Sequence, residues 1–364
     1  MHKLLRLKKN IFLLLFLITI GVAAQSVRKY SNEFLNIGVD AGAFGMANAV
    51  VASTGDVNSG YWNPAGLVNI EDKELSLMHA SYFANIASYD YAAFAMPLDN
   101  ESAVALSIIR FGVDDILNTT QLIDDQGNID YNRISLFSTA DYAFNFSYAK
   151  RLPLDGLNVG VNAKVIRRIV GDFASSWGFG LDVGIQFQRN KWSFGLMARD
   201  ITTTYNAWTI DEEKFAEIQG AVEGQNQELP ETTEITIPKL QFGVARTFVY
   251  RYDFSLLTEV DLNFRFAQTN DVFSSSAVSV TPSAGLQFGY VDMIFLRGGV
   301  GNFQNVQQIG SLEGDTSVGF QPNIGIGFSY KGIQVDYALT DIGDQSAALY
   351  SNVFSLKMDL SIFR

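Results

Sequence analysis

Trp177-Gly-Phe179-Gly-Leu181-Asp-Val183-Gly-Ile185-Gln-Phe187 places a large apolar side chain at every second position. Between them stand Gly178, Gly180, Asp182, Gly184 and Gln186. A period of two belongs to a strand, whose successive side chains point to opposite faces, and not to a helix with its period of 3.6. The stretch 254–266 repeats the pattern, with Phe254, Leu256, Val260, Leu262, Phe264 and Phe266 opposing Glu259, Asp261, Asn263 and Arg265. A water-soluble sandwich alternates in the same way, so the choice of fold falls to strand length and strand number.

Fourteen stretches alternate like this, at about 73–83, 88–97, 102–111, 139–151, 157–169, 176–188, 191–200, 238–249, 253–266, 280–289, 293–301, 318–330, 332–340 and 352–363. Most exceed the ~5–6 residues of an ordinary globular strand. They match the ~9–11 that a tilted strand needs to cross an outer membrane, where barrels carry an even strand number. The links add an independent test. Those after even-numbered strands are short: 98–101, 153–156, 189–190, 250–252, 290–292 and 331. Several after odd-numbered strands are long, at 112–138, 201–237, 267–279 and 302–317. Short periplasmic turns and long outer loops are the habit of such barrels. Tyr148, Trp192, Tyr250, Tyr252, Tyr290 and Tyr330 gather beside the short turns, where an interfacial aromatic girdle would lie. The expected fold is therefore all-β, a transmembrane outer-membrane barrel of about 14 antiparallel strands over 73–364, its last strand closing on its first.

Composition agrees. The chain of 364 residues is 48% apolar and 13% aromatic, with 31 Gly and only 18% charge. A formal charge of −12 excludes nucleic acid as the expected partner, since phosphates call for clustered Lys and Arg. Residues 1–24 read as a secretory signal: Lys3, Arg6, Lys8 and Lys9, then the apolar run 11–20, then Val22-Ala23-Ala24, with cleavage expected after Ala24. Cleavage removes four basic and no acidic residues, moving the charge from −12 to −16. No cysteine follows to take a lipid or form a disulfide.

Residues 25–72 do not alternate and are too apolar for a disordered tail, so they are expected to form a plug segment in the lumen. They end in Tyr61-Trp62-Asn63-Pro64-Ala65-Gly66-Leu67, a turn in which Pro64 fixes φ and Asn63 can bond its own backbone. The longest loop holds Asp211, Glu212, Glu213, Glu217, Glu223, Glu228, Glu231 and Glu234 against Lys214 alone. It reads either as a solvated surface or as an acidic docking surface for a basic partner. Asp124-Asp125-Gln-Gly127-Asn128-Ile-Asp130 lacks the spacing and terminal Glu of a calcium loop, and no metal or cofactor is expected. His79 is the one histidine beyond the signal, and its place among Leu77, Met78 and Ala80 suggests a structural side chain facing the lumen. With no thiol and no His/Cys cluster, catalysis is not expected.

Gly38-Val-Asp40-Ala-Gly42-Ala-Phe-Gly45-Met46-Ala47-Asn48 followed by Asn63-Pro64-Ala65-Gly66 resembles the PorV/PorQ family, within the FadL-like outer-membrane barrels of the Bacteroidota. Gly42 or Ala43 stands where that family has Arg, and Ala47 where it has Gly, which marks a divergent paralogue. The resemblance implies a fourteen-stranded barrel in the outer membrane of a Gram-negative, Bacteroidota-like cell, with Gly45, Met46, Asn63, Pro64, Ala65 and Gly66 in a structural or gating plug. It also implies a part in the type IX secretion system, with translocon subunits or secreted cargo bearing C-terminal sorting domains docked at the outer loops. The other reading is a FadL-like passage for a hydrophobic ligand. The inward polar residues Asp182, Gln186, Glu259, Asp261 and Arg265 weigh towards docking, because such a passage calls for an apolar lumen.

Overall fold

A computed structural model describes residues 31–83, 85–123, 126–221, 232–251, 253–307, 316–340 and 350–363, without the side chains of 217–221 and 363. Six long strands come first: β1 (Glu74–Tyr82), β2 (Ala87–Pro97), β3 (Ser102–Asn118), β4 (Ser135–Arg151), β5 (Leu157–Val170) and β6 (Ala174–Arg189). The seventh place in the wall is shared by β7 (Trp192–Arg199) and β8 (Thr204–Ile210), which pair with the two ends of β6. The eighth is shared by β9 (Thr233–Thr236) and β10 (Lys239–Tyr250). Then follow β11 (Phe254–Arg265), the two-residue β12 (Phe273–Ser274), β13 (Ser279–Tyr290), β14 (Ile294–Gln307), β15 (Thr316–Tyr330), β16 (Ile333–Thr340) and β17 (Ser351–Asp359).

Every neighbouring pair is antiparallel, and β1 pairs with both β2 and β17, opposing Leu77 to Ala92 on one side and Leu356 on the other. With β12 an appendage on β13, the wall is a closed barrel of fourteen strands and has no free edge. No described helix is long and apolar enough to cross a membrane. The outward face is largely apolar: Leu106, Phe146, Phe179, Phe328 and Phe354, on five strands, are each between 51 and 61% exposed. A ring of such side chains far exceeds the few hundred Å² of apolar patch that a water-soluble surface carries, and it suits lipid. Trp192, Tyr250, Tyr290 and Tyr330 stand exposed beside the short turns, as a girdle requires, while Tyr252 lies outside the described residues.

The strands run further than their alternation. β3 and β4 extend to Asn118 and back to Ser135, and a bulge between Val113 and Ile116 breaks the pattern that ended the sequence reading at 111. The loop expected over 201–237 contains a turn at 201–202, strand β8, a helix at Glu212–Ala221 and strand β9. A shift of register between Gly301 and Gln304 hides the outer part of β14 in the same way. His79 is a clear correction. It points outward beside Leu77, with Nδ1 2.7 Å from Asp90, because its register sets it opposite the outward Phe354 and Asp90.

Candidate functional site

Residues 31–72 carry about half of the buried apolar cluster, including Phe44, Met46, Val50, Tyr61, Trp62 and Leu67, and the wall strands carry the rest. They touch wall positions all round the ring. Ser147 of β4 donates to the Gly60 carbonyl (3.2 Å), the Asp261 carboxylate of β11 accepts from Val50 N–H, and Ser355 of β17 accepts from Ala41 N–H (2.6 Å). These contacts all fall on the wall face opposite the exposed apolar side chains.

Two devices hold the segment there. The first is close approach. Met46 lies against the backbone of Gly285 and Gly299, where a Cβ would come within 2.7 Å of the Met46 carbonyl oxygen. Asn63, Pro64 and Ala65 lie against Gly160 and Gly184 in the same manner. The small face of these strands is thus the imprint of the segment, since only glycine admits a second backbone so near. The second device is polar. Asp261 accepts from the N–H groups of Val50 and Val51 (3.0 and 3.1 Å), and Glu259 accepts from Ala52 N–H (2.6 Å). Gln186 donates to the carbonyls of Val51 (3.3 Å) and Thr54 (2.9 Å). Asp182 is committed to Lys164, which also pairs with Asp200, all three being buried. Four of the five inward polar residues therefore serve buried groups and do not line an open polar channel. Their polarity argues nothing against an apolar cargo. Arg265, the fifth, is different and borders a cavity.

Within the segment, Asn63 Oδ1 accepts from Ala65 N–H (3.2 Å) and caps the turn Pro64–Asn69, while its amide donates to the carbonyls of Val51 and Ile185. Gly66 is packed against the Thr54 carbonyl and Ser59, and Gly45 against Gly325 of β15. Asp40 is half-buried, and the loss of water around its carboxyl, reinforced by the charge of Asp336, raises it to about 6.

Two cavities border the segment. Towards the outer ends of the strands lies a cavity of about 380 Å³, bordered by Phe44, Tyr61, Trp62 and by Arg199, Lys239 and Arg265. Towards the short turns lies one of about 190 Å³, bordered by Asp40, Asp56, Arg297 and Lys357. Trp62 borders both. Its indole is held by a bond from Nε1 to the Val39 carbonyl (3.0 Å), and Tyr61 packs edge-on to it.

The acidic loop is only partly gathered. Asp211, Glu212 and Glu213 are exposed, with Asp211 accepting from Lys214 N–H at the start of the helix. The side chain of Glu217, and Glu223, Glu228 and Glu231 altogether, lie outside the described residues, as do 1–30 with Ala24. Glu234 belongs elsewhere: it faces inward on β9 and accepts from Arg168 (3.2 Å) and Ser31 (2.9 Å). Sequence reasoning missed Trp62 as a partition and the carboxylates as anchors. Alternation gave their face but nothing about what they touch.

No family model and no curated relative matches the chain. Solved structures do. The toluene transporter TodX of Pseudomonas putida is similar with a TM-score of 0.55 and 10% identity over 88% of this chain and 98% of that one. The monoaromatic hydrocarbon channel CymD is similar at 0.53 and 12%, over 88% and 97%. A FadL homologue of Pseudomonas aeruginosa is similar at 0.50 and 10%, over 88% and 98%. At such identities the likeness is one of fold: the barrel is FadL-like.

Proposed function

We propose that this chain is an outer-membrane barrel that passes small molecules with an apolar body, and that residues 25–72 act as its plug, with 1–24 removed on export. The observation that carries the reading is the partition at Trp62, the side chain common to two cavities inside a closed, lipid-suited wall. A route through the lumen opens only when that indole and its neighbours move. The similar structures named as transporters and channels for toluene and monoaromatic hydrocarbons support the class of cargo. The type IX docking reading draws no support from them.

Trp62→Ala tests the partition. In proteoliposomes or planar bilayers the variant is expected to raise permeability to small solutes well above wild type, while the barrel stays folded by its heat-dependent mobility on gels. Permeability equal to wild type in a folded variant contradicts a gate at this position.

A further inference from the structure

The larger cavity has a chemistry unlike a hydrocarbon site. Three side chains on its border are cationic, Arg199, Lys239 and Arg265, and among the described residues none is a carboxylate. In a chain of formal charge −12, this is a local reversal of sign. The cations are also incompletely matched. Arg199 donates to Gln241 and to the Tyr61 carbonyl, both neutral. Lys239 has, among the described residues, one ion pair, a loose one with Glu33 at 4.0 Å. Arg265 has no carboxylate partner among the described residues.

The rest of the border is rich in neutral hydrogen-bonding groups, among them Asn36, Gln241, Asn263, Asn302 and Gln321. Four further bordering residues carry a buried polar atom with no partner among the described residues: Asn48 Oδ1, Thr281 Oγ1, Ser283 Oγ and Asn323 Oδ1. Ser283 and Asn323 are 5% and 7% exposed. Leaving such atoms unpaired costs roughly 1–3 kcal/mol each, so orphans gathered on one cavity point to something that pairs with them. A ligand reaches these atoms only if the amides turn over or Thr281 and Ser283 rotate about χ1. Below, Phe44 and Trp62 supply a flat apolar floor.

We propose that this cavity is a binding site for a hydroxylated organic anion of the sugar-acid class. The carboxylate sits on Arg265 and Lys239, the hydroxyls pair with the amide and hydroxyl groups of β13 and β15, and one ring face rests on the aromatic floor. A volume of about 380 Å³ falls in the range of small-molecule sites and is ample for one ring with its substituents. The inference concerns binding in this cavity and stands apart from the passage reading, whose cargo has an apolar body.

The test is calorimetric titration of the full-length protein in detergent with D-glucuronate and D-galacturonate, and with D-glucose as the uncharged match. At least one of the acids is expected to bind saturably, about tenfold or more tighter than glucose, and to weaken with added salt. Arg265→Gln is expected to lose about tenfold or more, the worth of one charge-assisted pair, while Arg265→Lys keeps most of the affinity. Both variants are first checked for the folded barrel by mobility on gels. No saturable binding of either acid, equal binding of glucose, or an unchanged affinity in folded Arg265→Gln overturns the proposal. Toluene uptake by proteoliposomes separates the two claims. Uptake without sugar-acid binding removes this inference and leaves the passage, whereas binding in a barrel that passes neither solute does the reverse.

Discussion

Gly160→Ala should loosen the inner segment without harming the wall. A Cβ at this position would overlap the Pro64 carbonyl carbon and the Ala65 nitrogen and lie 2.8 Å from Pro64 Cβ. Carbon atoms in good contact sit about 3.5–4.0 Å apart, so the turn must retreat by roughly 1 Å. It has little room. Across the lumen, six wall places away from β5 in the ring of fourteen, Met46 already rests on the backbone of β14 at Gly299. The atoms struck are backbone, which cannot swing aside like a side chain. Overpacking typically costs 1–3 kcal/mol, and this case belongs at the upper end, about 2–3 kcal/mol. That corresponds to a displaced population raised roughly 30- to 150-fold. The reporter is a single cysteine, Ala52→Cys, at a fully buried position in a chain that has no other thiol. Its alkylation by a water-soluble maleimide should accelerate by about that factor in Gly160→Ala. Gly298→Ala is the control, because a methyl there meets nothing within 4 Å. An alkylation rate unchanged by Gly160→Ala, or changed as much by Gly298→Ala, refutes the packing described.

Lys164→Met leaves Asp182 and Asp200 buried without their cation, and should lower stability by about 3–5 kcal/mol in denaturant-driven unfolding, with Asp182→Asn in the same chain restoring part of the loss; a midpoint equal to wild type would show the triad to be solvated. Leu181→Arg places a charge on the outward face at the middle of β6 and should cost about 2–4 kcal/mol in lipid vesicles. An unaltered midpoint there would mean that this face does not meet hydrocarbon.

The architecture was legible because a lipid-facing barrel writes its plan in a period of two. Fourteen strands could be counted from alternation alone, the even–odd spacing of the links told the short-turn end from the long-loop end, and an alternating last strand gave the closure. What escaped lies where the period fails. The bulge at Val113–Ile116 and the bend and turn at 200–202 carry Asp114, Asp115 and Asp200, and such residues read as loop although strand continues beyond them. The inward carboxylates were visible as a face but misjudged in role. Asp261 and Glu259 look like lumen charges until the N–H groups of Val50, Val51 and Ala52 are set beside them, more than 200 positions away in sequence. His79 failed for a simpler reason. Period two gives two faces but not which is inner, and here a polar side chain takes the outer one, with Asp90 and Arg110 nearby. The Asn-Pro-Ala turn was read correctly as a turn, yet its tight seat on Gly160 and Gly184 is a long-range fact that no local pattern contains.

The central claim is that the N-terminal segment is seated inside the ring, and the absence of cysteine makes a direct measurement possible. Ala47 Cβ lies 3.6 Å from where a Cβ on Gly301 would stand, within the span of a disulfide. The pair Ala47→Cys/Gly301→Cys, oxidised in native membranes and run on a non-reducing gel, should form one intramolecular link, with neither thiol left open to alkylation. A folded barrel in which the link does not form and both cysteines react freely with a maleimide would place the segment outside the lumen.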